Sequence, residues 1–221
     1  MAKRVRMTAQ ERREQLVGVA RSVFAERGYE ATSVEEIAER AGVSKPVVYQ
    51  HFGGKEGIYA VVVDREVRQL TESIKRCFDA ARPRLVAVGA ADAFLTYIED
   101  HEEGFRVLVR DAPTPISQGS FATVIADVAA RCEQFLVAEF GDRGFDAATA
   151  PMYARMLVGA VALVGEWWLD EREPPREVVA AHLVNLMWNG LSHLEPVDAK
   201  AIRRSARKRE ALLADPAEVS S

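Results

Sequence analysis

The chain has 221 residues, of which 48% are hydrophobic and 28% are charged, and its formal net charge is −4 at pH 7. This length and composition are typical of a folded globular protein and exclude a disordered or fibrous chain. Because the net charge gives no overall attraction to nucleic acid or to an anionic membrane, any such partner must be bound by a local basic patch.

Cysteine usage and apolar run lengths indicate where the protein acts. Cys77 and Cys132 stand far apart without disulfide or metal-binding spacing, so we expect inert thiols in a reducing compartment. The basic N-terminal segment lacks the apolar stretch of a secretory signal. The longest apolar run, 156–165, is shorter than the about 20 residues that span a bilayer. We therefore expect a cytoplasmic protein with no membrane partner.

Apolar residues recur at helical spacing along the chain, which predicts an all-α fold. A capping box that begins at Thr8 marks the start of a first helix that should end near Gly28. A short helix over 33–41 follows and ends at the turn residue Gly42. A second short helix begins after Ser44, which can cap it.

A long helix is predicted from residue 55 to about residue 81, because no turn residue interrupts it despite the β-branched run 61–63. Glycine and proline breaks, among them Pro113 and Pro115, separate the later helices. These helices are predicted over 83–101, 104–111, 120–140, 147–170 and 175–193. The segment 195–221 is basic and has little apolar content, which predicts a solvated tail.

The second short helix has an outward face whose composition indicates a binding surface. Val48 and Phe52 lie one turn apart and should face the core, and the residues that point mostly outward are Lys45, Val47, Tyr49, Gln50 and His51. Two short helices joined by a glycine turn form a helix-turn-helix, whose second helix fits the major groove of B-DNA. The sequence therefore predicts a DNA-binding domain over 8–56, with the helix-turn-helix at about 33–52.

The outward residues have the chemistry of DNA recognition. Gln50 can pair with a base edge, and Val47 can contact a thymine methyl group. Hydrogen bonds to phosphates or base acceptors can come from Lys45, Tyr49 and His51, and Lys55 at the start of the next helix can hold a phosphate. The alternative that Tyr49 and His51 pack beneath the neighbouring helix stays open.

The order Thr32-Ser33-Val34-x-x-Ile37-Ala38-x-x-Ala41-Gly42-Val43-Ser44-x-x-x-Val48-Tyr49-x-His51-Phe52-x-x-Lys55 closely resembles the TetR family of transcriptional regulators. The match covers roughly residues 10 to 58. By that resemblance, the positions that approach DNA are Thr32, Ser33, Lys45, Pro46, Val47, Tyr49, Gln50, His51 and Lys55. Pro46 stands where many members have glycine, which is expected to alter the tilt of the recognition helix.

The resemblance also implies a function for the whole chain. It implies a homodimeric repressor, without a cofactor, that binds a palindromic double-stranded operator and is released by a small hydrophobic effector. The endings around Trp167 and Trp188 look similar to actinobacterial members, some of which sense acyl-CoA or fatty acids. Residues 57–194 are expected to form the ligand-sensing and dimerisation domain.

Two C-terminal helices are candidates for a dimer interface, because Gly159 and Gly165 let another helix approach closely. With their copies in a second chain, these helices would form a four-helix bundle of twofold symmetry. The candidate interface residues are Leu157, Val161, Val164, Trp168, Val179, Leu183, Leu186 and Met187. The alternative that these faces fill a monomer core stays open.

An apolar pocket is predicted among the middle helices, with Tyr97 as its polar group, and it would suit a hydrophobic small molecule. Its candidate lining residues are Phe94, Tyr97, Ile98, Phe105, Leu108, Phe121, Ile125 and Phe135. For each of these residues a plain core position is the alternative.

Two other classes of protein were weighed against a DNA-binding regulator. The four histidines, His51, His101, His182 and His193, show no metal-ligand spacing, and no nucleophile motif is present, so we expect neither a catalytic site nor a metal site. A helical adaptor that binds another protein through residues 147–193 remains the second alternative.

Overall fold

A computed structural model of the chain describes residues 7–79, 83–110, 120–195, 197 and 204. Over these residues it is helical without strands, which confirms the all-α prediction. The α-helices are α1 Ala9–Ala31, α2 Val34–Arg40, α3 Lys45–Phe52, α4 Lys55–Lys75, α5 Pro83–Asp100, α6 Glu102–Arg110, α7 Phe121–Arg143, α8 Ala150–Glu171 and α9 Arg176–Ser192. Short 3-10 turns follow α4 (Arg76–Asp79) and precede α8 (Ala147–Thr149).

The chain divides into two compact units, residues 1–188 and 189–221, and α9 runs from the first into the second. The other helices named above belong to the first unit. In the second unit, the His193 backbone N–H donates to the Asn189 carbonyl at 3.2 Å and ends the helix. The predicted break at Pro113 and Pro115, and most of the predicted tail, lie outside the described residues.

The first helix begins as predicted and ends later than predicted. The Thr8 hydroxyl accepts from the Glu11 backbone N–H, and the Glu11 side chain accepts from the Thr8 backbone in return, which confirms the capping box. Gly28 has a φ of 79° and interrupts the helix, as its position in the sequence indicated. Helical structure then resumes and extends to Ala31.

The short helices α2 and α3 fold around a glycine turn. The Ser33 hydroxyl accepts from the Glu36 backbone N–H at 3.1 Å and caps α2. Gly42 has a φ of 65°, a conformation that favours glycine. Ser44 is the N-cap residue of α3, but its side chain makes no capping hydrogen bond. Val48 is the one fully buried side chain of α3.

The helix α4 begins immediately after α3 and lies against its C-terminal end. A Cβ atom built on Gly57 would stand 1.8 Å from the carbonyl oxygen of Phe52, so the two backbones meet at a distance that only glycine permits. Further along its length, α4 packs against α1, α5, α6 and α7. The recognition segment and the C-terminal helices are therefore joined through α4.

The helices α5, α7 and α8 pack against one another to extend the core, with α7 and α8 as close neighbours. A Cβ atom on Gly165 would lie 2.3 Å from the Phe94 ring, so α8 approaches α5 closely. The helical segment Ala147–Glu171 is long and apolar enough to cross a membrane by length and composition alone. Only 17% of its most apolar window is buried within the structure, which leaves apolar side chains at its surface.

Gly57→Ala is expected to lower the free energy of unfolding by about 1–3 kcal/mol, because the added methyl group would overlap a backbone atom that cannot rotate away. The matched control is Gly18→Ala, where no atom lies within 4 Å of the added Cβ. This control is expected to raise stability by about 0.5–1 kcal/mol. Urea denaturation measures both values, and equal effects would contradict the close contact at Gly57.

Candidate nucleic-acid interface

The surface of α3 carries most of the residues that the sequence assigned to DNA recognition. Four of them are exposed, namely Lys45, Pro46, Tyr49 and Gln50, whereas Val47 and His51 are half-buried. Val47 packs against the hydrophobic core. The helix α3 thus presents a polar and aromatic face to the outside, while Val48 on its opposite side is buried in the protein.

Tyr49 stands at the centre of this face with 46% of its surface exposed. Its ring borders the turn between α3 and α4, where a Cβ on Gly54 would lie 3.5 Å from Cε1. Gly54 has a φ of 141°, which favours glycine, so the turn leaves room beside the tyrosine ring. The structure therefore does not bury Tyr49 beneath the neighbouring helix.

His51 is half-buried at the C-terminal end of α3. Its backbone carbonyl accepts a hydrogen bond from Arg13 Nη1 at 2.8 Å, and the guanidinium of Arg13 lies 4.5 Å from the centre of the Phe52 ring. Arg13 therefore ties α1 to the end of α3, a role that sequence reasoning missed. Helical spacing on α1 gave no signal for this contact, because its partner lies on another helix.

Lys45 forms an ion pair with Glu35 of α2, and its ammonium group lies 5.7 Å from the centre of the Tyr49 ring. The hydrogen bond to Glu35 raises the pKa of Lys45, and the same bond lowers the pKa of Glu35. Both side chains are about half exposed. The predicted DNA contact Lys45 thus has a carboxylate partner that sequence reasoning did not identify.

Lys55 has protein partners at the position where a phosphate contact was predicted. Its ammonium group donates to the carbonyl of Tyr29 at 2.8 Å and to that of Glu30 at 3.2 Å, and it lies 4.3 Å from the Tyr29 ring centre. It therefore fastens the start of α4 to the end of α1. An ammonium group has three donors, so one remains for a phosphate.

Thr32 is placed differently from the sequence-based assignment. Its side chain is 3% exposed, and its hydroxyl donates to the carbonyl of Gly28 at 2.7 Å. This threonine closes the irregular end of α1 and offers no side-chain atom to DNA. The adjacent Ser33 is exposed, and its hydroxyl is the cap of α2.

A buried carboxylate joins the DNA-binding helices to the rest of the chain. Glu66 of α4 is 1% exposed, accepts from the Tyr97 hydroxyl at 2.7 Å and lies 3.5 Å from Arg21 of α1. Burial raises the pKa of Tyr97, and the neighbouring Glu66 adds to that rise, so the phenol remains a donor. A Cβ on Gly104 of α6 would overlap the Glu66 carboxylate, so four helices meet here.

The predicted pocket residues are packed against one another. Six of them are buried, namely Phe94, Tyr97, Ile98, Phe105, Leu108 and Phe121, while Ile125 and Phe135 are half-buried. The Phe105 ring centre lies 5.5 Å from that of Phe94 and 5.2 Å from that of Phe121, both edge to face. The polar group expected in the pocket, the Tyr97 hydroxyl, is bound to Glu66. Apart from Phe135, these side chains belong to the hydrophobic core or pack against it.

A groove of about 770 Å³ lies beside this core, between α4 and α5. Most of its lining residues have polar or charged side chains, among them Gln69, Ser73, Arg76, Thr96 and His101, although much of the surface they expose to the groove is apolar. Gln69 Nε2 and His101 Nε2 are 2.8 Å apart and within hydrogen-bond distance. Tyr97, one of the predicted pocket residues, lines this groove, whereas the predicted phenylalanines do not.

The predicted interface residues separate into two groups. Trp168, Val179 and Leu183 are buried within the chain, so these three have no surface to offer a second copy. Leu186 is 72% exposed, and the remainder, Leu157, Val161, Val164 and Met187, are half-buried. A different stripe along α8 is exposed and apolar, formed by Met152, Met156, Leu163 and Trp167.

The short helices, the glycine turn and the exposed face of α3 define a helix-turn-helix DNA-binding protein. Residues 16–62 match the family model described as bacterial regulatory proteins, tetR family. Residues 84–190 match the model of the tetracyclin repressor-like C-terminal domain. The chain therefore belongs to the TetR family of bacterial transcriptional regulators, and it is not an enzyme.

Individual relatives agree with this assignment. The chain is 34% identical over 194 residues to the HTH-type transcriptional activator FasR of Mycolicibacterium smegmatis. The aligned region covers 86% of this chain and 87% of FasR. It is 32% identical over 120 residues to the regulator HbdR of Aromatoleum, and this alignment covers 48% of this chain and 52% of HbdR. The crystal structure of a TetR-like regulator from Rhodococcus sp. RHA1 superposes with a TM-score of 0.69 at 26% identity, covering 86% and 100%.

Two substitutions on α3 are expected to separate affinity from sequence preference. Gln50→Ala should relax the preference at one base pair, with a loss of about 1–3 kcal/mol of discrimination. Tyr49→Ala should weaken binding to every duplex by about 1 kcal/mol, because a phosphate contact carries no sequence information. Fluorescence anisotropy with the selected operator and its single-base variants measures both effects.

Circular dichroism is the control for these two variants. Both side chains are exposed, so their replacement should leave the helical content unchanged. Wild-type affinity and wild-type preference in both variants would refute the recognition role of α3.

Proposed function

We propose that the chain acts in the cytoplasm as a homodimer that binds a palindromic operator through α3 and is released by a small hydrophobic effector. The observation that carries the DNA-binding part is the exposed face of α3 around Tyr49. In this proposal residues 8–56 bind DNA, residues 57–194 sense the effector and dimerise, and residues 195–221 form a basic tail.

Each residue assigned to the DNA interface has a chemical role in this proposal. Gln50 and Lys45 donate to base edges in the major groove, and Val47 contacts a thymine methyl group. Tyr49 and Ser33 donate to phosphates and fix the position of the helix on the duplex. Pro46, His51 and Lys55 are proposed to make further contacts with the DNA.

The proposed dimer face is the exposed apolar stripe on α8 together with Leu186 of α9. Met152, Met156, Leu163 and Trp167 follow one another at intervals close to whole helical turns, so they lie along one side of α8. Gly159 lies within this stripe with open space above it, which lets a second helix approach closely. Exposed apolar surface of this kind marks an interaction site, and a twofold copy matches the symmetry of a palindrome.

The effector is proposed to enter the apolar core between α5, α6 and α7. A hydrophobic molecule suits the rings of Phe94, Phe105 and Phe121 better than it suits the groove beside them, which is lined by several charged side chains. Binding there would separate rings that now touch and would displace α5 and α6. An acyl chain, which is narrow and flexible, fits this requirement.

The proposed route from the effector to DNA is the helix α4. Tyr97 of α5 holds Glu66 of α4, and α4 in turn abuts the end of α3 at Gly57. A shift of α5 would therefore move α4 and change the spacing of the two α3 helices in the dimer. The effector releases DNA only if it binds the altered spacing more tightly, because equal affinity for both states shifts nothing.

The sign of regulation separates two candidate functions. We favour a repressor, because a dimer that occupies an operator within a promoter excludes RNA polymerase by steric overlap. The name of FasR, a transcriptional activator, favours activation as the second candidate. A reporter placed behind the selected operator distinguishes them: deletion of the gene should raise the reporter signal, and a fall would instead support activation.

Leu163→Glu is expected to convert the dimer to a monomer and to abolish tight binding to a palindrome, because a carboxylate would be buried without a partner. The matched control is Val137→Glu, an exposed apolar residue on a different helix, α7, which should remain dimeric. Analytical ultracentrifugation measures both. A dimeric Leu163→Glu variant would place the interface elsewhere.

A further inference from the structure

The DNA-binding segment is not basic. Residues 8–56 contain seven lysines and arginines and eight aspartates and glutamates, so this segment carries a formal charge of −1. Binding to DNA of any sequence depends on how many phosphates a protein neutralises with lysine and arginine side chains. The protein partners of these seven cations therefore affect the affinity for non-operator DNA.

All seven cations have partners within the protein. Four of them form ion pairs with carboxylates, namely Arg21, Arg27, Arg40 and Lys45. The other three hydrogen-bond to neutral groups: Arg12 to the side chain of Gln15, Arg13 to the carbonyl of His51, and Lys55 to the carbonyls of Tyr29 and Glu30. Lys45 alone among them belongs to the recognition helix.

The partner of Lys45 comes from the other helix of the motif. Glu35 lies in the first turn of α2, and its carboxylate accepts from the ammonium of Lys45 at the start of α3. This pair lies beside Tyr49, whose ring centre is 5.7 Å from the same ammonium. The carboxylate therefore lies next to the face of α3 that is proposed to bind DNA.

We infer that Glu35 is a positioning residue that holds Lys45 toward the base edges beside Tyr49 and keeps it from neutralising a phosphate. The pair is uncharged as a unit, so it adds no counterion release and no affinity for random DNA. A phosphate that approached Lys45 would also approach the Glu35 carboxylate. A base edge carries no net charge, so its acceptor atoms are repelled less strongly than a phosphate.

The ion pair does not have to break when the operator binds. An ammonium group has three donors, so Lys45 can keep Glu35 and donate to a guanine acceptor at the same time. Glu35 therefore lowers the affinity for non-operator DNA more than it lowers the affinity for the operator. In this way it raises the ratio between the two affinities.

The test compares Glu35→Gln with wild type on a random-sequence duplex and on an operator selected from random duplexes, across a salt series. Glu35→Gln frees Lys45 to bind one phosphate. The plot of log affinity against log salt for the random duplex should steepen by about 0.9 for each chain, and so by about 1.8 for the proposed dimer, with an affinity gain of about fivefold per chain at physiological salt. The operator affinity should rise less, so the specificity ratio falls.

Three further variants identify the cause. Glu39→Gln removes the same charge from the same helix at an exposed residue and should keep the wild-type slope. Glu35→Asp keeps the charge and should also keep that slope. The double variant Glu35→Gln/Lys45→Gln should return the slope to the wild-type value. The fold should survive in all three, because an exposed ion pair contributes little to stability, and circular dichroism verifies this.

Each other outcome overturns the inference. An unchanged slope in Glu35→Gln, an equal steepening in Glu39→Gln, or a steep slope that persists in the double variant would show that Glu35 does not restrain Lys45. The inference rests on the proposed role of Lys45 at the operator. Lys45→Gln with wild-type operator affinity would refute that role separately, whatever the slopes on random DNA.

Discussion

The recognition helix α3 depends on contacts at its ends, because Val48 is its one fully buried side chain. At the C-terminal end, Arg13 holds the carbonyl of His51, and Gly57 of α4 meets the carbonyl of Phe52 without a side chain between them. A helix of eight residues has little stability of its own. Its orientation is therefore set by its contacts with α1, α2 and α4, and its outer face is free to carry residues that bind DNA.

Because α3 depends on α4 for its orientation, movements of the C-terminal helices can change the position of α3 in this proposal. Any displacement of α4 reaches α3 through a backbone contact that has no flexible side chain to absorb it. On the opposite side, Glu66 of α4 is held in a buried site by Tyr97 and Arg21. A buried carboxylate is costly to leave without partners, so movement of α5 would draw α4 with it. In the proposed mechanism α4 joins a core rearrangement to a change in helix spacing. A second connection is α1, which packs against α6 and holds the end of α3 through Arg13.

Local patterns allowed the helices and the helix-turn-helix to be predicted, because caps, glycine turns and helical spacing involve residues close in sequence. The partners of Lys45 and Lys55 were missed, since they depend on how separate helices meet. The dimer face was assigned in part to residues such as Trp168, which is buried within the chain. α8 is apolar around most of its circumference, so periodicity could not distinguish its inner side from its outer side. For Phe105, aromatic spacing could not distinguish a pocket from a packed core.

The structure of the dimer bound to its selected operator tests the central claim most directly. The two α3 helices should lie in successive major grooves about 34–36 Å apart, with the carbonyl of Phe52 still against Gly57 in each chain. That result would show that α3 and α4 meet DNA as one rigid element. An α3 helix rotated away from α4, or two copies at a spacing that does not match one turn of DNA, would contradict the account.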